Sequence, residues 1–311
     1  MEPQWDLVVI GAGGAGLGAA QYGARANLKT LLLEEMAPGG QALVIDRLEN
    51  YPGIAEPVSG FDFADLMRRQ AEEFGAEIRS SGVTGLRKEG KLFLLDTSDG
   101  PVSTWAVILA TGAKHRHLEV PGETEFSGRG VSYCATCDGP FFKGKRILVV
   151  GGGDAACDEA MFLSKLTDRV ILVHRKDRFR AQKALGERVL ANPRIDTRFH
   201  HEVKEIQGSK QVEAVTLVRT DTGQEYRESV DAVFIFVGSL PQTALAGDAK
   251  KDEAGSLLTN DRMETSVPGL FAAGDVRATP FRQLITAVAD GAVAAHSASQ
   301  YIDEIRGEAY R

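Results

Sequence analysis

Residues 132–140 read SYCATCDGP: two of the three cysteines, Cys134 and Cys137, stand three positions apart, and an acid, Asp138, follows the second. Two thiols at that spacing have three uses: half of a metal site, a structural staple, or a disulfide that is made and broken. A structural zinc site needs four ligands, and this pair supplies two. Cys157 stands alone in a later helical pattern, and His115 and His117 are separated by one residue, which is not finger spacing. No metal is expected. A disulfide closing so short a loop stabilises a fold little. Redox exchange is therefore preferred. Positions i and i+3 bring the sulfurs within bonding reach on a helical turn. The thiolate is the exchanging species, and Asp138 is placed to give and take its proton. The plainer reading of that acid is a turn or helix-dipole residue.

A working dithiol needs electrons, and two glycine-rich stretches suggest their source. In DLVVIGAGGAGLGAA a strand over 6–10 runs into Gly11, Gly13 and Gly16 and then a small-residue helix start; the next strand, over 30–33, ends in Glu34. In RILVVGGGDAACDEA a strand over 146–150 runs into Gly151, Gly153 and Ala156, and its second strand ends at His174. One such motif is a weak signal, because glycine turns also arise wherever a strand packs tightly on a helix. Two, each between a strand and a helix, indicate dinucleotide binding. The first glycine permits the tight turn, the second lets the backbone approach a pyrophosphate, and the third position lets helix and strand pack closely. The phosphates then meet free N–H groups at a helix start.

The second strands separate the two ligands. Glu34 is an acid placed to accept from ribose hydroxyls, which suits FAD or NAD. The other strand ends in HRKDRFR, 174–180, where Arg175, Lys176 and Arg180 would attract a 2′-phosphate. The alternative is a solvated basic loop. Unit two is thus expected to hold NADPH. A hydride can pass from NADPH to a flavin and onward to sulfur, so the first ligand is expected to be a flavin.

The units repeat beyond the glycine loops. Each continues into a polar hairpin and an apolar strand, stopping at Gly112 in one and Gly238 in the other. The C-terminal part adds a strand ending at Gly274-Asp275 and a helical pattern over 282–305 but no third nucleotide motif. The expected fold is α/β, with two Rossmann-like dinucleotide-binding domains (three-layer, parallel sheet plus β-meander), the second inserted into the first. The boundaries are set at 1–116 and 245–311 for the outer domain and 117–244 for the insert, with crossovers near GAKHRHLEVPGE and GSLPQT.

The 311 residues carry 36 Lys and Arg against 43 Asp and Glu, a net charge of −7, so nucleic acid is not an expected partner. No apolar run reaches the roughly 18–20 residues that a bilayer requires, so no membrane association is expected. The opening MEPQWDLVVIG carries acids and enters a strand pattern at once, unlike a secretory leader. Three cysteines build no disulfide scaffold, and a reducing, cytoplasmic setting is expected.

In order, GAGGAG (11–16), GGQ (39–41), ENYPG (49–53), ATGA (110–113), CATCDG (134–139), GGGDAA (151–156), HRKDRFR (174–180), AAGD (272–275) and FRQ (281–283) resemble the low-molecular-weight thioredoxin reductases, flavoprotein disulfide reductases, over essentially the whole chain. The resemblance implies FAD in the outer unit, NADPH in the insert, thioredoxin as acceptor and a homodimer. It places FAD contacts on Gly11, Gly13, Gly16, Glu34, Gly40, Gln41, Asn50, Thr111, Gly112, Asp275, Arg282 and Gln283, the last two beginning the final helix. It places NADPH contacts on Gly151, Gly153, Ala156, His174, Arg175, Lys176, Arg180 and Gly238. It also implies that Cys137 lies against the flavin, that Cys134 attacks the substrate disulfide, and that the insert rotates between two states. Lys176 departs from the family's second arginine, keeping the charge but losing the bidentate fork. Phe281 stands where some members carry tyrosine. Cys157 is expected to be a small buried residue. Arg129 and the pair Phe141-Phe142 flank the cysteines; if exposed, they would dock an acidic protein. The competing readings are another acceptor (a glutaredoxin-like protein, a peroxiredoxin system or a small disulfide) and a flavin-bearing redox sensor or oxidase.

Overall fold

The computed structural model describes residues 2–45 and 48–309. In chain order the main elements are β1 (Trp5–Ile10), α1 (Gly14–Arg25), β2 (Thr30–Glu34), α2 (Gly60–Glu73), β3 (Glu77–Ser80), β4 (Val83–Glu89), β5 (Leu92–Thr97), β6 (Gly100–Leu109) and β7 (Ala113–His115). There follow β8 (Val131–Ser132), α3 (Ala135–Asp138), β9 (Ile147–Gly151), α4 (Asp154–Leu166), β10 (Val170–His174), α5 (Lys183–Leu190), β11 (Ile195–Phe199), β12 (His201–Gly208), β13 (Val212–Arg219), β14 (Glu225–Ser229) and β15 (Ala232–Phe236). The chain closes with β16 (Ser239–Pro241), β17 (Leu270–Ala272) and α6 (Leu284–Arg306).

Two compact units result, Met1–Lys114 with Leu240–Arg311, and His115–Ser239. These divisions fall a few residues before those read from the crossover motifs. The connecting strands β7 and β16 pair with each other.

In the first unit the sheet order is β3-β2-β1-β6-β5-β4, with β17 also pairing β6. Strand β6 serves two purposes. From Thr104 to Leu109 it runs parallel to β1, and β17 joins it at Val107–Leu109. From Gly100 to Thr104 it pairs antiparallel with β5 and so starts the meander. Continuous apolar runs such as LVVI in β1 and TLLL in β2 are what a sheet covered on both faces requires. Alternation by twos then sorts them. Leu7, Val9, Leu32 and Ile108 join one core, and Val8, Ile10, Leu31, Leu33 and Val107 the other. The second unit repeats the plan with a parallel sheet β11-β10-β9-β15-β8, a separate antiparallel β12-β13-β14, and two cores of its own.

The last helix begins later than its sequence pattern suggests. Gln283 is extended and caps α6, its N–H held by Thr286 Oγ1 at 3.2 Å, so Arg282 lies ahead of the helix. Among the described residues no helix is long and apolar enough to cross a membrane.

Candidate functional site

Both glycine loops close the turn between a first strand and its helix, α1 or α4. Gly11 and Gly151 sit at φ 98° and 152°, where a side chain is strained. A Cβ on Gly16 would lie 1.7 Å from Gly11 O, so helix and strand meet only because it is absent. Above the helix starts there is room. A Cβ on Gly153 would meet nothing within 4 Å, and one on Gly13 only Gly40 Cα at 4.0 Å. Neither helix has a side-chain cap on its first N–H groups. Open space against uncapped N–H groups is what a pyrophosphate needs, so both loops fit a dinucleotide.

The first unit gathers the other outer-domain residues around its loop. Glu34 accepts Ala12 N–H at 2.7 Å and Met36 N–H at 3.0 Å, which fixes its carboxylate at the end of β2 beside the glycines. Gly39 N–H donates to Ala12 O at 2.7 Å, bringing Gly40 and Gln41 alongside. Gln41 donates to Ala113 O at 3.0 Å, Thr111 to Gln242 O at 2.7 Å, and Asn50 to Gln283 Oε1 at 3.1 Å. Gly112 O accepts Gln242 N–H at 2.9 Å. Asp275 follows β17. Burial pushes its carboxyl above the usual range, against the pull of Arg282. Arg282 itself is exposed. An acid, two amides and a hydroxyl ringing one glycine loop fit an FAD.

In the second unit the basic segment folds back onto its loop. Arg180 N–H and Ala181 N–H donate to Gly152 O at 2.7 and 3.2 Å. The His174 ring fills the space that a Gly152 side chain would need. Burial first, then Arg180, Arg175 and Lys176, push the imidazole below its usual pKa, and its buried Nε2 has no partner. Arg175 lies 3.9 Å from Glu202, whereas Lys176 and Arg180 have no carboxylate partner among the described residues. Two unengaged cations beside a glycine loop fit a phosphorylated ribose. Gly238, at φ 117°, accepts Arg116 N–H through its carbonyl at the start of the return crossover.

Cys134 and Cys137 are joined as a disulfide. Cys134 caps α3, its Sγ accepting Cys137 N–H at 3.1 Å, and Thr136 Oγ1 lies 3.4 Å from the same sulfur. Asp138 ends α3 and its N–H donates to Cys134 O at 3.1 Å. Cys157 is buried, and burial, Asp158 and Asp154 push its thiol up to about 12.

Three features escaped sequence reasoning. Ser132 clamps Cys134, accepting its N–H at 3.1 Å and donating to its carbonyl at 3.2 Å. Tyr133 donates to the buried Glu123 at 2.7 Å, and His117 Nδ1 lies 2.6 Å from the same phenol oxygen. Asp290 holds Gly274 N–H at 3.2 Å and Arg277 at 3.0 Å beneath Asp275. No spacing rule marks these partners; only the acid in PGE, ten residues before a tyrosine, was there to be noticed.

The description pyridine nucleotide-disulphide oxidoreductase matches residues 5–291. A thioredoxin reductase of Treponema pallidum is 54% identical over 306 residues, 98% of this chain and 100% of the relative. One from Listeria innocua is 44% identical over 98% of this chain and 96% of its own. The solved thioredoxin reductase of Lactococcus lactis superposes with a TM-score of 0.94 at 42% identity, covering 97% of this chain and 100% of its own. The chain belongs to the pyridine nucleotide-disulphide oxidoreductases and, within them, to the thioredoxin reductases. It is an oxidoreductase with a cysteine-pair centre.

Proposed function

We propose that this chain moves an electron pair from NADPH, through FAD, to the Cys134–Cys137 disulfide and then to a thioredoxin. The observation that carries the reading is the combination in one chain of two open glycine loops, one beside an acid and one beside free cations, with a cysteine pair capping α3. The loop beside Glu34 is assigned to FAD and the loop beside Arg175, Lys176 and Arg180 to NADPH. FAD, when bound, takes a hydride from NADPH and delivers two electrons to the disulfide. The protein's share is to hold Cys134 as the attacking thiolate, with Asp138 moving the proton that disulfide cleavage requires. A homodimer and a cytoplasmic setting complete the reading. The likeness of whole chain to whole chain supports thioredoxin over a glutaredoxin-like protein, a peroxiredoxin system or a small disulfide, and over a sensor or oxidase.

The docking surface expected beside the cysteines divides. Phe141 is 80% exposed, whereas Phe142 packs edge-on against the buried Phe234 at 6.1 Å. Phe141 and the exposed Arg129 remain as the anchor and the steering charge for an acidic partner.

The test is NADPH-dependent disulfide reduction with and without thioredoxin. Cys134→Ser and Cys137→Ser are each expected to abolish thioredoxin reduction while FAD stays bound, and Cys137→Ser to perturb the reduced flavin spectrum more. Full turnover in either variant would remove the relay.

A further inference from the structure

Two donors converge on Cys134 Sγ, and among the described residues none is placed on Cys137 Sγ. A disulfide sulfur carries no hydrogen, so the Thr136 hydroxyl, 3.4 Å away, is the donor in that contact. The backbone of Cys134 is meanwhile gripped on both sides by Ser132 Oγ. The sulfur therefore has little freedom to leave its donors when the S–S bond opens.

We infer that Thr136 is a catalytic residue of the exchange step: its hydroxyl donates to the Cys134 thiolate and sets that thiol's pKa and attack rate. This rests on reading Cys134–Cys137 as a dithiol relay. In the reduced enzyme Cys134 thiolate attacks one sulfur of the acceptor disulfide. A bond forms between Cys134 and that sulfur, the acceptor's own S–S bond breaks, and its second sulfur leaves with the electron pair and takes up a proton. Cys137, after losing its proton to solvent or Asp138, attacks Cys134 Sγ. The internal disulfide re-forms and the first acceptor sulfur is released and protonated. The dithiol loses two electrons and two protons, and the acceptor gains them. Thr136 transfers nothing; it stabilises the charged sulfur before attack, and that charge is spent in the transition state.

The consequence has a sign that changes with pH. Hydrogen bonding to the charged form lowers a thiol pKa, so Thr136→Val is expected to raise that of Cys134 by about one unit. Below both pKa values the thiolate fraction falls about tenfold, while nucleophilicity rises with basicity by about threefold. The net loss is about threefold. Above both values only the second effect survives, and the variant attacks about threefold faster than the parent.

The experiment reduces the holoenzyme with dithiothreitol, removes the reagent, and follows the pH dependence of two reactions. These are iodoacetamide alkylation, with Cys134 and Cys137 peptides resolved by mass, and stopped-flow reaction with a small aromatic disulfide. Thr136→Val should shift the Cys134 profile upward, cross the parent's disulfide rate at high pH, and leave the rate of flavin reduction by NADPH unchanged. Thr136→Ser should restore the parent profile. An unshifted Cys134 profile in a valine variant with parental flavin absorbance would overturn the proposal, as would alkylation of Cys137 ahead of Cys134 in the parent. Neither assay contains thioredoxin, so a failure to reduce thioredoxin would count against the proposed function and not against the role of Thr136.

Discussion

Three cysteines in one unit meet three environments, and the environment decides what each sulfur can do. Cys157 lies in the core between α4 and the sheet, beside Asp158 and Asp154, with its thiol pushed up to about 12. It is protonated at neutral pH and out of reach, so it cannot serve as a third redox centre. Cys157→Ala is expected to leave disulfide reduction within about twofold, and native Cys157 to resist alkylation until the protein unfolds. Alkylation of Cys157 in the folded enzyme at a rate near that of Cys134 would contradict this. Cys134, by contrast, is partly exposed and held by donors at backbone and sulfur alike. Its partner Cys137 is exposed. The type and spacing of the residues revealed the pair. The asymmetry between its members depends on a hydroxyl and an amide whose aim no spacing reveals.

At the scale of elements, the loop over 116–123 is fastened to the strand that leads into Cys134. Glu123 is the fastener: 3% of its side chain is exposed, and it accepts Leu118 N–H at 2.9 Å, Glu119 N–H at 2.7 Å and the Tyr133 hydroxyl at 2.7 Å. Burial alone would raise its pKa; the three hydrogen bonds and nearby His117 outweigh burial and hold the carboxyl below its usual range. A depressed carboxyl stabilises the fold above the unfolded glutamate pKa, about 4.3, and that contribution is lost as pH falls through the lower folded value. Glu123→Gln is therefore expected to cost about 2 kcal/mol at neutral pH, with the deficit shrinking in acid. Both tryptophans lie in the other unit, so the measurement is hydrogen exchange of the β9 and β15 amides, which reads opening of this unit. A deficit that does not change with pH would show that the carboxylate charge is not what holds the loop. The glycine loops, the insertion of one unit in the other and the doubled meander were legible because they repeat, and because strand, turn and helix each carry a local pattern. Glu123 was not, because its partners are backbone amides and a tyrosine that no periodicity singles out. The basic segment lies between: its charges were legible, but the fold-back through Arg180 N–H onto Gly152 O was not. Neutralising Arg175, Lys176 and Arg180 together is expected to raise the KM for NADPH by more than about tenfold, at about 1.5–3 kcal/mol per lost charge-assisted contact, and that for NADH far less. Equal effects on both coenzymes would mean that the segment does not read a 2′-phosphate.

At the scale of the whole molecule, the proposed relay makes three demands. The nicotinamide must reach the flavin, Cys137 must reach the flavin, and Cys134 must reach a protein-sized acceptor. The cysteines and the basic segment belong to His115–Ser239, and the residues assigned to FAD belong to the other unit. One rigid arrangement cannot meet all three demands if nicotinamide and disulfide take turns at the same flavin. The architecture supports motion as a body: each unit has its own pair of cores, and the chain passes between them only twice, at the paired strands β7 and β16. Gly112, at φ 63°, and Gly238, at φ 117°, stand next to those strands, where a few dihedrals can absorb a rotation. The proposal is that the insert alternates between a state in which the flavin is reduced and one in which it is reoxidised. A chemical cross-link that fixes the two units should then permit one half-reaction and block the other. In rapid mixing, the fixed enzyme is expected either to reduce its flavin with NADPH at the normal rate and stop, or to reoxidise a pre-reduced flavin through the disulfide and fail to accept hydride. Steady-state turnover falls to near zero in both cases, and cleaving the cross-link restores it. A fixed enzyme that turned over thioredoxin at the full rate would show that one arrangement serves all three contacts and that no rotation is needed.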